Sequence, residues 1–236
     1  MTLFIHGAGL STAAGISDYT DPESISLSLD DVRGLKAHRI KRWAKRHCHL
    51  LACVGNAKPT SAHTTIASYV RSHREAGIPA AIWTQNVDGL EREALSEVTD
   101  EMEPKLAVLL EMHGSLLRAR RWSGLRRVNR SDLATFAERS PAAAYWQAFG
   151  LAVPDVVLTQ MRLKHYPLSE KTAKLFDELV LVGTTGRTTW VRDLVIAFLE
   201  RKKRIRVFNS VNPFDLPGVE FTSGDINTSI DRAFRT

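Results

Sequence analysis

Five short stretches of this sequence end an apolar run in small or polar residues, a grouping that could hold a phosphate-bearing ligand and move a proton on it. The first, Gly7-Ala8-Gly9-Leu10-Ser11, follows Thr2 to His6. Glycines there permit a tight strand-to-helix turn, let the backbone approach a pyrophosphate, and aim helix N-terminal N–H groups at it. The next glycine is Gly15, so the spacing is not the dinucleotide G-x-G-x-x-G, and a purely structural turn fits equally well. The second, Thr84-Gln85-Asn86-Val87-Asp88-Gly89-Leu90, sets four polar side chains at the end of a buried strand. They are costly there unless hydrogen-bonded, either to a ligand or, for Asn86 and Asp88, to the turn's own backbone. The third, Glu111-Met112-His113-Gly114-Ser115, offers a histidine able to take a proton from a hydroxyl near neutral pH, with Gly114 leaving room beside it. The fourth and fifth, Val182-Gly183-Thr184-Thr185 and Val207-Phe208-Asn209-Ser210, carry hydroxyl and amide groups that suit ribose and adenine contacts or helix caps.

The elements that must position these groups alternate between short β-rich runs and helical patterns, which predicts an α/β fold: a Rossmann-like parallel sheet with helices on both faces. Strands are expected at Thr2 to His6, Ala80 to Thr84, Val108 to Met112, Val156 to Thr159, Glu178 to Val182 and Ile205 to Phe208. Ala62 to Ala76 reads as a helix, opened by Thr60 and Ser61 and closed by Gly77. Val191 to Lys203 reads as another, with a basic end that suits a helix C-terminus. Two stretches interrupt the alternation, about 21–58 and about 116–152, and together they predict a smaller inserted helical lobe. The Rossmann-like part then comprises about 1–20, 59–115 and 153–236, and a ligand is expected in the crevice between the two parts.

Composition bounds the function classes. With 236 residues, 44% apolar and 25% charged, the chain can bury a sizeable core, which excludes disordered and fibrous classes. Its two cysteines, Cys48 and Cys53, can build neither a disulfide scaffold nor a four-cysteine zinc site. The net charge of +6 suits a phosphate-bearing cofactor, a nucleic acid or an anionic membrane and does not choose among them. No apolar stretch approaches the ~20 residues of a membrane helix, and Met1 to Ile5 runs straight into the glycine turn, leaving no room for a signal peptide. An intracellular setting, cytoplasmic or nuclear, is the expectation. Few aromatics interleave the arginine-rich insertions, so neither nucleic acid nor membrane is favoured as a partner.

The order of motifs carries more than any one of them. GAG-x-S, then K-P-x-x-x-H (Lys58, Pro59, His63), TQN-x-D, E-x-HGS, P-x-VV (Pro154, Val156, Val157), VGT, and an asparagine after a strand resemble the sirtuins, the NAD-dependent protein lysine deacylases. The resemblance runs from Phe4 to about Asp225. It implies that NAD, as cosubstrate, lies between a Rossmann-like domain and a smaller lobe while an acyl-lysine protein or peptide enters from the opposite side. Gly7, Ala8 and Gly9 would meet the pyrophosphate, with Asp18 and Tyr19 covering the nicotinamide half. Gln85, Asn86 and Asp88 would hold the nicotinamide riboside, and Gly183, Thr184, Thr185, Asn209, Ser210 and Asp225 the adenosine end. His113 matches the family's catalytic base, with Asn86 and Asp88 near the reacting carbon, and Val156 and Val157 match the substrate-pairing segment. The implied reaction releases nicotinamide and yields O-acyl-ADP-ribose.

The departures are specific. Asp18-Tyr19-Thr20 stands where the family carries aspartate, phenylalanine and arginine, and Pro154 to Met161 ends Leu158-Thr159-Gln160-Met161 instead of x-FGE. Leu116 to Ala152, where the family has two C-x-x-C pairs on a structural zinc, contains no cysteine. The lobe is therefore expected to fold without zinc, around Tyr145, Trp146 and Phe149 in a helix-like run from Ser131, or else to be degenerate. Two alternatives follow: a protein ADP-ribosyltransferase or NAD hydrolase, and a non-catalytic module that binds NAD or ADP-ribose.

Overall fold

Thr2 to His6 is buried along its whole length, the pattern of a strand covered on both faces. It is the centre of the molecule, a computed structural model that describes residues 1–16, 36–96, 108–121, 123–156 and 169–235. In chain order, the strands among the described residues are β1 Thr2–His6, β2 Ala80–Thr84, β3 Leu109–Glu111, β4 Gly114–Arg121, β5 Gly124–Arg127, β6 Val153–Val156, β7 Glu178–Val182, β8 Arg204–Asn209 and β9 Val219–Ser223. The α-helices are α1 Ala37–Asn56, α2 Ser61–Glu75, α3 Leu90–Ala94, α4 Arg130–Ala134, α5 Pro141–Ala148, α6 Ser169–Leu175, α7 Thr189–Glu200 and α8 Ile226–Phe234.

Six strands form a parallel sheet in the order β3-β2-β1-β7-β8-β9. The direction of winding reverses between β1 and β7, and in open α/β sheets the crevice at that reversal, outside the carboxyl ends of the strands, is where ligands sit. Two apolar clusters cover the two faces. One joins Leu3, Ile5, Leu179 and Leu181 to Trp190, Leu194 and Phe198 of α7, and the other joins Phe4, Ile82 and Val180 to Ile66 and Val70 of α2 and Phe234 of α8.

Five of the six expected strands lie on this sheet, and β1, β2 and β7 match the expected bounds residue for residue. The sixth, Val156 to Thr159, falls partly outside the described residues, and Val156 ends β6, which belongs to the second sheet. β9 was not anticipated, because Val-Glu-Phe-Thr-Ser is a half-exposed edge whose alternation is too short to stand out. The helix expected from Val191 begins at Thr189 and ends at Glu200, where Arg201 closes it; the basic run follows the helix.

A third cluster belongs to the lobe. Ile40, Trp43, Ala44, His47, Leu51 and Val54 line the buried face of α1, and the apolar ones among them meet Leu133, Phe136, Tyr145, Ala148 and Phe149. Helices were expected here; the antiparallel sheet β5-β4-β6 was not. The arginines of β4 disguise it: Arg118 and Arg120 pair with the buried carboxylates Glu111 and Asp155. Two of the arginines that might have met a polyanion are thus paired with acids of the fold itself.

The helix-like run Ser131 to Phe149 is broken into α4, a 3-10 turn and α5. Tyr145 and Phe149, four residues apart, face inward, whereas Trp146 is turned away and 39% exposed, which corrects the expectation that all three form the core. Trp43, Tyr145 and Phe149 meet with ring centroids 5.2–6.0 Å apart, and the Tyr145 hydroxyl donates to the Ala152 carbonyl at 2.7 Å. A structural zinc does not fit these residues: the segment offers aromatic rings and no thiol, and among the described residues no three His, Cys, Asp or Glu side chains are grouped to hold a metal. No described helix is long and apolar enough to cross a membrane.

Gly55 sits where α1 crosses α4 so closely that a Cβ would overlap the backbone of Ala134. Gly55→Ala is expected to cost about 1–3 kcal/mol or more, several degrees in Tm by circular dichroism, because neither helix can yield without moving the lobe's core.

Candidate functional site

The sheet's reversal point is built from glycines packed backbone against backbone. A Cβ on Gly7 would lie 2.6 Å from the Gly183 carbonyl oxygen, and one on Gly183, whose φ is +62°, would collide with Gly9 and the Leu10 nitrogen. The Gly7 N–H donates to Val182 O and the Gly9 N–H to Gly183 O, both at 2.9 Å. These two donors are thereby spent inside the fold. What the turn offers a ligand is close approach. After it come two three-residue 3-10 turns, Ala8–Leu10 and Thr12–Ala14, in place of the expected helix.

Beneath this turn lies a buried polar network from the ends of β1 and β2. The Asn86 side-chain nitrogen donates to the Gly7 carbonyl (3.2 Å), the Ser11 hydroxyl (3.3 Å) and Glu91 Oε1 (3.2 Å), while the Asn86 N–H donates to the Thr84 hydroxyl (3.0 Å). Ser11 donates to Asp88 Oδ2 at 2.8 Å, and the Leu90 N–H reaches Asp88 Oδ1 at 2.9 Å. Burial, together with the neighbouring Glu91 charge, pushes the Asp88 carboxyl up to about 7 against those two bonds and the charge of Arg130. Burial would also raise Glu91, but the hydrogen bond from His6, the charges of His6 and His63 and the Thr84 hydroxyl outweigh it and hold this carboxyl below its ordinary range.

The Asp88 shift has a testable sign. Because the folded group binds its proton more tightly than the unfolded one, its ionisation penalises the folded state progressively from about pH 4 to 7 and fully above. Melting curves of Asp88→Asn are therefore expected to show a gain over wild type that grows across that window and then levels; a constant gap would contradict the shift.

His113 stands at the neighbouring strand end, between β3 and β4. The Met112 N–H donates to Thr84 O and the Leu116 N–H to Val87 O, so the HGS turn is strapped to the TQN turn. The residue is 5% exposed, and neither ring nitrogen has a hydrogen-bond partner among the described residues. Burial lowers its pKa to about 4, which keeps the ring neutral, with a lone pair unprotonated, at physiological pH.

The other expected residues gather around a cleft of about 510 Å³ at the reversal point, lined by Gly9, Gly183, Thr185, Asn209, Ser210 and Asp225 together with Thr12 and Arg187. Thr184 lies behind it, buried and bonded to Gln85, whose amide also accepts from Thr188. Several side chains are already engaged. Asn209 donates to Thr184 O and accepts from the Ser210 N–H, and Asp225 caps α8 by accepting from the N–H and hydroxyl of Thr228. Val156 is buried in the lobe and its backbone is paired with Gly114. Asp18, Tyr19 and Val157 lie outside the described residues.

Sequence reasoning missed His6, Glu91 and Arg187 as site residues. Arg187 is detectable as a cation four residues after Gly183, but a solvated loop arginine reads the same. Glu91 in a helix's first turn is an ordinary favourable charge. Only the fold shows it turned inward.

A model of the Sir2 family matches residues 7–189. Among curated relatives, the chain is similar to an NAD-dependent protein deacetylase of Cutibacterium acnes, 24% identical over 91% of this chain and 84% of that one. It is also similar to NAD-dependent protein deacetylase 1 of Streptomyces coelicolor, 33% identical over 49% of this chain but only 36% of the relative's length. A solved structure of Sir2 with a p53 peptide and NAD+ shares the fold, with a TM-score of 0.65 at 18% identity, covering 99% of this chain and 91% of that one. With the glycine turns, the TQN and HGS turns and the strand order in their places, the chain belongs to the Sir2 family.

Proposed function

We propose that this protein is an NAD-dependent protein-lysine deacylase, formed by one catalytic domain in which the lobe of about 21–58 and 116–152 closes on the Rossmann-like part, and acting inside the cell, in cytoplasm or nucleus. The observation that carries the reading is His113: a buried, neutral imidazole with both nitrogens unpartnered among the described residues, strapped beside Asn86. An unpaired buried polar group is costly, and such groups persist where a reaction uses them. The relatives this chain resembles are named NAD-dependent protein deacetylases, which agrees with the reading.

Bound NAD would supply an electrophilic ribose carbon with nicotinamide as leaving group, and a ribose hydroxyl to receive the acyl group. The chain's part is to hold and shield. Gly7, Gly9 and Gly183 would let the cofactor come close, the cleft around Thr185, Asn209, Ser210 and Asp225 would take the adenosine end, and Asn86 and Asp88 would face the nicotinamide riboside. His113 takes the proton of the ribose hydroxyl at a ring nitrogen.

The deciding experiment incubates the protein with NAD and acetylated or longer-acyl peptides and follows nicotinamide, deacylated peptide and O-acyl-ADP-ribose by mass spectrometry. Peptide-dependent formation of all three is expected. Nicotinamide release without peptide, or ADP-ribose attached to protein, would replace this reading by hydrolase or transferase activity; binding without turnover would leave a non-catalytic module.

A further inference from the structure

The buried carboxylate of Glu91 has no part in that scheme, yet it stands under the centre of the site. Its side chain is 1% exposed, and a single oxygen, Oε1, receives three donors: Thr84 Oγ1 at 2.6 Å, His6 Nδ1 at 3.2 Å and Asn86 Nδ2 at 3.2 Å. Thr84 also accepts the Asn86 N–H, so its hydroxyl passes the backbone of Asn86 to the same oxygen that holds the side chain. Both ends of Asn86 are thus moored to Glu91.

We propose that Glu91 is a positioning residue that locks the side-chain amide of Asn86 in one orientation, nitrogen inward and Oδ1 free for the ligand. The amide cannot turn over, because its oxygen would then face the Gly7 carbonyl and the Glu91 carboxylate, both acceptors. An uncharged side chain at this position would leave Oε1's three donors competing for a weaker acceptor. A buried carboxylate–histidine pair is a poor source of stability, so a positioning role accounts for what packing does not. His6 orients Glu91 in turn, and His63 backs it at a ring distance of 6.5 Å from His6, its Nδ1 fixed by Thr60.

The inference rests on the deacylase reading for its kinetic test and stands apart from it for its spectroscopic one. In Glu91→Gln, kcat for nicotinamide release is expected to fall about 10- to 100-fold with KM for NAD nearly unchanged, as for other groups that orient a reacting residue. Added to Asn86→Ala, the same change should cost almost nothing more, because the residue it positions is gone. Unchanged kcat in a folded Glu91→Gln protein, or losses that multiply in the double variant, would overturn the proposal.

Should wild type release no nicotinamide, the functional reading falls while the Glu91 inference is still decided by 15N NMR. The two Asn86 side-chain amide protons should be well separated and slow to exchange in wild type, and collapse toward exposed values in Glu91→Gln. Unaltered resonances would refute it. Thr84→Val, which cuts one mooring and keeps the charge, gives the same readouts if Glu91→Gln does not fold: an intermediate kcat loss and shift are expected, and no change in either refutes the proposal.

Discussion

His113→Leu is expected to melt at a higher temperature than wild type while losing peptide-dependent turnover by on the order of 10²- to 10⁴-fold, the usual contribution of a general base. Both effects come from one fact, that neither ring nitrogen has a partner among the described residues. Each buried polar atom without a partner costs about 1–3 kcal/mol, and a leucine of similar bulk removes both. The gain should shift Tm upward by several degrees. It should also widen on acidification. The folded imidazole has its pKa lowered to about 4 by burial, so as pH falls from about 6.5 to 4 the unfolded chain takes up a proton that the folded chain refuses, and wild type loses stability that the variant keeps. NAD binding, read by calorimetry, should survive. A variant that melts lower, or still turns over at the wild-type rate, would remove His113 from its role.

Gly183→Ala carries the largest expected penalty on folding. The residue has φ of +62°, and its new Cβ would meet Gly9 and the Leu10 nitrogen, backbone atoms that cannot rotate aside. The β1 and β7 turns would have to part, breaking the Gly9 N–H to Gly183 O bond and opening the floor of the cleft. Strain and clash together should cost about 3–5 kcal/mol, on the order of 10 °C in Tm, with NAD binding lost in whatever fraction still folds. A Gly183→Ala protein with wild-type Tm and NAD affinity would show that the two turns are not in contact.

The contrast between the legible and the hidden parts is physical. Strands such as Ala80–Thr84 and Glu178–Val182 are apolar runs that give way to small or polar residues, and burial on both faces leaves them no other reading. β4 was hidden because Arg118 and Arg120 look like solvent-facing charge until Glu111 and Asp155 are found opposite them. Trp146 was misplaced because three aromatics in five residues cannot all face one side of a helix. In the site, Asn86, Asp88 and His113 were legible from the unusual polarity of strand ends, whereas Glu91 and His6 became visible only once β1 and β2 were paired.

Arg130 ties the lobe to the site. From the start of α4 it reaches the Val54 carbonyl near the end of α1, the Asp88 carbonyl in the TQN turn at 3.0 Å, and Glu93 of α3 at 3.1 Å. One guanidinium therefore spans both insertions and the loop that carries the buried acid. Any ligand that selects the ordered TQN loop must, by reciprocity, draw part of its binding free energy from the lobe's packing and return it as protection of the lobe. The aromatic cluster of the lobe is thus expected to be a remote contributor to cofactor affinity, and changes in it should register at the cleft as altered NAD binding before they register as unfolding.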